Sequence, residues 1–574
     1  MKPRPYDPPM SETKTHTTGN RVLDASHRSS KNFFESDRIL RAYLEKHLPT
    51  MALIYMSPKL DRMGSRAAQE MDELSLTADK QGPELVKRDK YGETIDQIRF
   101  HPAYDELMSF SVDSEMMRVK WEPKLRQQFQ GQRHTLGFAA GYLFAMGESG
   151  QYCPLCMTDG VARLIDRFAE EADKDRLLPH IYTDAAKDFY TGAMFLTEKA
   201  GGSDVGANLV RAEHEEGEWY RLYGEKWFCS NVNADIIFAL GRTDASVHGT
   251  RGLSIFLIEK NGPDGERNPL GIVRLKDKLG VRSMASAECL LDGTWAKRVG
   301  EEFEGFRIMA DMINLSRLYN SVAALSGGRR ALIEAYQFLN FRHSFGRMAI
   351  EHSLVRAKLW ELGALHLASL HLVGRTVRAL DAADNGNAQA AEVVRLLTPM
   401  TKREPAEIAV YTARESMELM GGMGYIEDTV LPKIMRDVMV LPIWEGAGNI
   451  MVLDMLRAAA KSDGLAVLLS EIKDLVRENG KYGEMISREA TSIVEGLRGL
   501  AGQEQEAVEF LSKKLFLELT RIYQAALIIG DRNEQQPERS DLALRWLMQP
   551  WDRCYQPQRP PSKEEIHVLL GWEF

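Results

Sequence analysis

Cysteine is scarce: there are five, at positions 153, 156, 229, 289 and 554, in a chain of 574 residues. So few thiols exclude a disulfide framework and point to a reducing compartment. Cys153 and Cys156 form a C-x-x-C, but no second cysteine pair accompanies them, so no metal site is read. The βαβ pattern that would frame a redox dithiol is missing too. Long apolar runs are also lacking. None reaches the ~18–20 residues needed to cross a bilayer, so no membrane span is expected. The opening stretch MKPRPYDPPMSETKTHTTGN has no apolar core of the secretory kind, and its acids disfavour a mitochondrial presequence without excluding one. Residues 1–30 are read as a disordered tail, and a cytoplasmic location is expected. Excess positive charge is absent as well: the net charge is −9. Residues 461–574 carry 15 Lys plus Arg against 19 Asp plus Glu. A phosphate-binding surface wants the opposite balance, so DNA is not an expected partner.

What remains is an ordinary globular composition, 44% hydrophobic and 27% charged, long enough for two to four domains. Apolar residues recur at helical spacing from Phe33 to Leu44, in His134–Met146 and in Leu164–Asp173. No two-residue alternation is read before residue 190, and Lys80–Gly92 is taken as a loop. From Tyr190 the pattern changes. Six short strands are expected: Trp219–Tyr223, Lys226–Ser230, Ile236–Gly241, Leu253–Ile258, Ile272–Leu275 and Glu288–Leu291. After Gly305 long helices return, over Phe306–Asn340, Ser353–Ala383, Ala388–Thr401 and Pro405–Met420. Pro405 is placed to start the last and Gly421-Gly422 to end it. The fold class is therefore α+β and multi-domain. A helical domain (31–190) is followed by a middle β barrel or sandwich (191–304), a C-terminal four-helix bundle (305–455) and a helical extension (456–574).

The stretch Leu441-Pro-Ile-Trp-Glu-Gly-Ala-Gly-Asn-Ile450 carries the chemistry. Glu445 follows the apolar Ile443 and Trp444, and glycines after it let the backbone approach a ligand. Taking a proton from carbon needs a base held out of bulk water, with its pKa raised by an apolar pocket. Taken alone, the segment also fits a surface loop. Thr197-Glu-Lys-Ala-Gly-Gly-Ser-Asp204 offers hydroxyls and backbone N–H groups that suit a flat heterocycle, and equally a plain turn. In Lys226-Trp-Phe-Cys-Ser-Asn231, strand alternation puts Trp227, Cys229 and Asn231 on one face and Phe228 and Ser230 on the other. Arg342-His-Ser-Phe-Gly346 sets a guanidinium beside an aromatic ring, apt for a pyrophosphate or for a helix end.

Together and in this order, with Lys276–Ser283, Gly421–Tyr425 and Arg436-Asp437, these segments resemble the FAD-dependent acyl-CoA dehydrogenases. Phe100-His-Pro-Ala-Tyr104, Cys153-Pro-Leu-Cys-Met-Thr158, Trp444–Asn449 and the C-terminal extension resemble the AidB-like branch of that family. The resemblance implies FAD as cofactor and Glu445 as the base that takes the α-proton of a fatty acyl thioester while flavin N5 accepts hydride. It implies flavin contacts from Met194, Leu196, Thr197, Gly202, Ser203, Phe228, Cys229 and Ser230, with Cys229 read as packing. Further contacts are implied from Trp444, Gly446 and Asn449, and from Arg342, Phe345 and Gly422 reaching a neighbouring subunit of a homotetramer. Arg317 and Trp444 are implied at the substrate, a fatty acyl-CoA or fatty acid, and an electron-carrier flavoprotein is an implied partner. Two other readings stay open: a protein that sequesters acyl groups on this scaffold, and a DNA-associated protective flavoprotein.

Overall fold

The computed structural model describes residues 30–574 apart from 478, 533–536 and 552–558. Residues 1–29 of the expected tail, Cys554, and Pro557 and Gln558 of the Pro-rich break lie outside the described residues. Residues 33–181 fold mainly as helices. Asp37 ends the Phe33–Ser36 helix, and its carboxylate caps the next, Arg38–His47, by accepting from the N–H groups of Ile39 and Leu40. The expected Lys80–Gly92 loop is instead half of an antiparallel hairpin, β1 (Glu84–Arg88) and β2 (Thr94–Arg99). Of its four apolar side chains, Leu85 and Ile98 lie against the core of the β domain. Two short strands with one buried position between them carry too little alternation to be read.

The middle region has seven strands: β3 (Gly192–Phe195), β4 (Arg211–His214), β5 (Trp219–Ser230), β6 (Ile236–Arg242), β7 (Leu253–Glu259), β8 (Leu270–Leu275) and β9 (Ser286–Arg298). The order β3-β6-β4-β5-β9-β7, with β6 also paired to β7, closes the sheet on itself as a barrel, and β8 adds to β9. Two of the expected strands are one. Gly224, at φ 138°, stays in the ladder opposite Leu291, so a residue that reads as a break lies inside the strand. The nearby irregularity, between Leu222 and Tyr223, skips Gly293 of β9, at φ 75°. A second irregularity, between Lys226 and Cys229, overturns the simple alternation. Lys226 and Cys229 are buried, Trp227 is half-buried, and Phe228 is 59% exposed.

Three long helices follow: Gly305–Phe341, Ser353–Asp384 and Ala388–Met420, packed on one another. The Gly448–Lys461 helix lies against the third. Pro405 does not start a helix; it lies inside the Ala388–Met420 helix. Proline removes the N–H that would bond the carbonyl of Thr401. That carbonyl instead accepts from Ser321 Oγ of the neighbouring long helix, at 3.0 Å, so the helix continues. At the far end of the middle helix Asp384 gathers charge. It accepts from Arg133 (2.8 Å), His134 (2.8 Å), Arg163 (2.7 and 2.9 Å) and Arg167 (3.1 Å).

The extension packs Gly464–Leu475, Gln505–Gly530 and Pro537–Leu547 onto the bundle. The last residues return to the first. Arg329 bridges Asp37 and the carbonyl of Leu570, Trp572 is fully buried beside Phe33, and backbone bonds join Arg38 to Gly571 and Glu573 to Ser36. Among the described residues no helix is long and apolar enough to cross a membrane.

Candidate active site

Glu445 stands at the turn between the Leu431–Val438 helix and the Gly448–Lys461 helix. Its φ is +57°, a costly conformation for a residue with a Cβ, and such strain concentrates at functional sites. Gly446, at φ 106°, completes the turn; a Cβ there would meet Met451 Cε at 2.4 Å. Three side chains hold the turn. Ser316 Oγ donates to Glu445 Oε2 at 2.5 Å, Arg317 Nε to the Glu445 carbonyl at 3.2 Å, and Lys402 Nζ to the Gly446 carbonyl at 2.5 Å. Arg317 is itself anchored by Asp454 at 2.7 Å.

The carboxylate closes one end of a narrow, mainly apolar slot. Its walls come from Tyr152, Cys153, Cys156 and Met157 on one helix, Ser316, Tyr319, Asn320 and Ala323 on the long helix, and Val438, Leu441 and Trp444 before the base. The Trp444 indole N–H donates to Asn320 Oδ1. Burial raises the Glu445 carboxyl above its ordinary range, against the pull of Ser316, Arg317 and Lys402. Burial likewise lowers Lys402 to about 8, with Glu445 opposing. Cys153 is pushed up to about 12 by burial, with the Glu445 carboxylate adding to the effect. Val281, also in the wall, sits at φ +48° and donates its N–H to Asp437 at 2.6 Å.

A second surface adjoins. The Trp227 N–H donates to the Thr197 carbonyl at 2.9 Å, laying the 197–204 loop beside β5. Buried Lys226 pairs with buried Glu198 at 2.6 Å, and Glu198 also accepts from the N–H groups of Leu209 and Val210. That carboxylate fixes the loop. Gly202, Ser203 and Phe228 are left exposed, with Met194, Leu196, Thr197 and Ser230 half-buried. Ser230 Oγ lies 3.0 Å from Ser286 Oγ, and Lys278 Nζ donates to the same Ser286 hydroxyl at 3.2 Å. Burial lowers Lys278 to about 8, with Cys153 of the slot wall pulling it back up. The open face and the slot meet at Lys278 and Cys153.

Family models cover most of the chain. A model of the AidB N-terminal domain matches residues 24–185, one of the acyl-CoA dehydrogenase middle domain matches 193–294, and one of the C-terminal domain matches 304–460. The chain belongs to the acyl-CoA dehydrogenase family. It is 32% identical over 477 residues to the putative acyl-CoA dehydrogenase AidB of Escherichia coli K12, covering 82% of this chain and 85% of that one. To acyl-CoA dehydrogenase family member 11 of Caenorhabditis elegans it is 29% identical over 529 residues, covering 88% and 84%. The solved structure of Caenorhabditis elegans ACDH-11 in complex with C11-CoA superposes with a TM-score of 0.85 at 26% identity, over 97% of this chain and 95% of that one.

Within this acyl-CoA dehydrogenase fold, the residues singled out from the sequence separate into groups. Glu445, Trp444 and Gly446 gather at the slot. Arg317, expected at the substrate, is spent on Asp454 and the Glu445 backbone and steadies the base. The Cys229 side chain is fully buried in the barrel core, so its thiol is closed to any ligand on the open face. Asn449 accepts from Lys513 of the Gln505–Gly530 helix at 3.0 Å, which ties the extension to the segment after the base. Arg342 and Phe345 are remote. Arg342 caps the long helix 26 residues beyond Ser316, roughly 39 Å along the axis. Phe345 tops the His343–Met348 hairpin at φ +49° and is 97% exposed. A Cβ on Gly422 would meet nothing within 4 Å. The sequence reading missed Cys153 and Cys156 as slot residues. Their spacing is the usable signal, since residues three apart on a helix share a face.

Proposed function

We propose that this protein is an FAD-dependent acyl-CoA dehydrogenase that removes the α-proton and β-hydride of a fatty acyl thioester. The observation that carries the reading is Glu445: a strained, half-buried carboxylate with a raised pKa at the end of an apolar slot. The open face fits the cofactor. Exposed Phe228 offers a flat apolar contact, and Ser203, Thr197, Ser230 and the Gly202 backbone offer polar partners for the edge of a ring. When bound there, the isoalloxazine supplies the hydride acceptor, and every other part of the reaction falls to the chain. The slot excludes water from the acyl group and aligns it. Glu445 takes the α-proton, and its raised pKa brings it closer to the range where a base works at neutral pH. Ser316, Arg317 and Lys402 hold the turn, so the carboxylate needs no reorganisation as it acts.

The remoteness of Arg342 and Phe345 from the slot supports a homotetramer in which each subunit completes a neighbour's cofactor site, and the open space at Gly422 leaves room for such an approach. The family relation supports an electron-carrier flavoprotein as the acceptor of the electrons. The relative named for its C11-CoA complex supports a medium to long acyl chain. A second reading is sequestration of an acyl-CoA without turnover; it is favoured by the Trp444 indole, which stiffens one slot wall through Asn320. Duplex DNA finds little support: Arg545 lies over the Trp360 ring and Arg559 pairs with Glu565.

One experiment separates these readings. Acyl-CoAs of graded length are added anaerobically to the flavin-loaded protein while flavin absorbance is followed. Bleaching establishes dehydrogenation. Tight binding without bleaching leaves sequestration, and a protein that takes up no flavin overturns both.

A further inference from the structure

The slot is not uniformly apolar. Asn320 lies in its wall, 4% exposed, and the two ends of its amide are treated differently. Oδ1 accepts from the Trp444 indole. An indole N–H only donates, so that bond fixes which end of the amide is oxygen. Nδ2 is then left buried with no acceptor among the described residues. A buried amide donor without a partner costs about 1–3 kcal/mol, and an unsubstituted acyl chain would leave that cost in place. The hydroxyls of Tyr152, Ser316 and Tyr319 also line the slot, and none of them bonds Nδ2. Asn320 lies one helical turn from Ser316, which bonds the base, so the two positions are about 6 Å apart along the helix that forms this wall.

We propose that the slot accepts an acyl chain bearing an oxygen acceptor, a hydroxyl or a carbonyl, a few carbons beyond the α-carbon, and that Asn320 Nδ2 is its donor. The proposal rests on the reading of the slot as an acyl-thioester site and narrows its substrate class. Recognition of this kind discriminates well. A buried donor rejects the analogue lacking its acceptor more strongly than an apolar wall rejects an extra methylene. The Trp444 side chain gains a second role here as the group that orients the amide.

The test uses the full-length flavin-loaded protein. Octanoyl-CoA is compared with octanoyl-CoA carrying a single hydroxyl or oxo group at successive positions from C4 to C7. Dissociation constants are measured by the spectral perturbation of the flavin. One positional isomer is expected to bind about tenfold or more tighter than octanoyl-CoA. In Asn320→Leu the ratio of affinities between the favoured isomer and plain octanoyl-CoA should collapse to near unity. Equal affinity for all the compounds in the wild-type protein overturns the inference and leaves the acyl-CoA dehydrogenase reading intact. Failure of every acyl-CoA to bind overturns both. The wild-type comparison decides the matter even where the variant does not fold.

Discussion

Glu445 and Asp384 are two carboxylates withdrawn from water on the same bundle, and their surroundings differ in kind. Asp384 has a side chain only 4% exposed and meets the guanidinium groups of Arg133, Arg163 and Arg167. Those charges and the His134 hydrogen bond outweigh burial and hold it well below the usual carboxylate range. Glu445 has one hydroxyl on its carboxylate, while Arg317 and Lys402 bond to the backbone around it. Burial outweighs them and its pKa rises. One carboxylate is saturated with cations and clamps helices together. The other is held in place by its backbone and left short of counter-charge, which is what a base needs. Burial alone therefore says little about role; the position of the cations decides it.

Four experiments break or sharpen that contrast. The largest effect falls on Glu445→Gln, which should slow flavin bleaching by acyl-CoA about 10²- to 10⁴-fold in anaerobic stopped flow; a change under threefold would remove Glu445 as the base. Asp384→Asn should leave activity chemistry untouched but strip the shared acceptor from three guanidinium groups. We expect a loss of about 3–5 kcal/mol in urea unfolding, and a loss below about 1 would show that the cluster is not a clamp. Ser316→Ala removes the hydrogen bond that favours the charged base. The pH midpoint of bleaching should move further upward, with a rate loss at neutral pH of about tenfold; an unmoved midpoint counts against the Ser316 contact.

The smallest effect is on the pH dependence of stability, where the two carboxylates have opposite signs. The folded pKa of Asp384 is depressed, so its contribution is present above the unfolded value near 3.9 and fades as pH falls through the folded one. The folded pKa of Glu445 is raised, so its contribution is present below the unfolded value near 4.3 and is lost as pH rises through the folded one. Glu445→Gln should therefore melt slightly above the wild type at neutral pH, by about 1 kcal/mol, with the gap closing toward pH 4. A gap that widens on acidification would reverse the assignment.

Much of this contrast was legible in the chain. Trp444-Glu445-Gly446 announces an apolar wall, a carboxylate and a free turn in three residues, while Ile443, which reads as part of that wall, is 65% exposed. The long helices and most of the barrel strands follow from periodicity. What escaped had non-local causes. Pro405 reads as a helix start, and only Ser321 on a neighbouring helix shows why it is not. Gly224 reads as a break, and only its pairing with Leu291 of β9 keeps it inside one strand. Lys226, and not Trp227, shares the buried side with Cys229 because the ladder slips between Lys226 and Cys229, which no alternation rule contains. The ion pair of Arg317 with Asp454 joins positions 137 residues apart, beyond any local pattern. The Gly571–Phe574 segment packs against residues near 37, a partner that no local pattern names.

That last contact has a cost in time. Arg41 and Glu573 bond across 532 positions of chain. At a synthesis rate of about 5–20 residues per second, the greasy underside of the first helices waits roughly half a minute to two minutes for its cover. During that interval the nascent protein shows Phe33 and its neighbours to whatever is nearby. Its yield in a cell should therefore track chaperone supply more closely than the sturdiness of the finished fold would suggest.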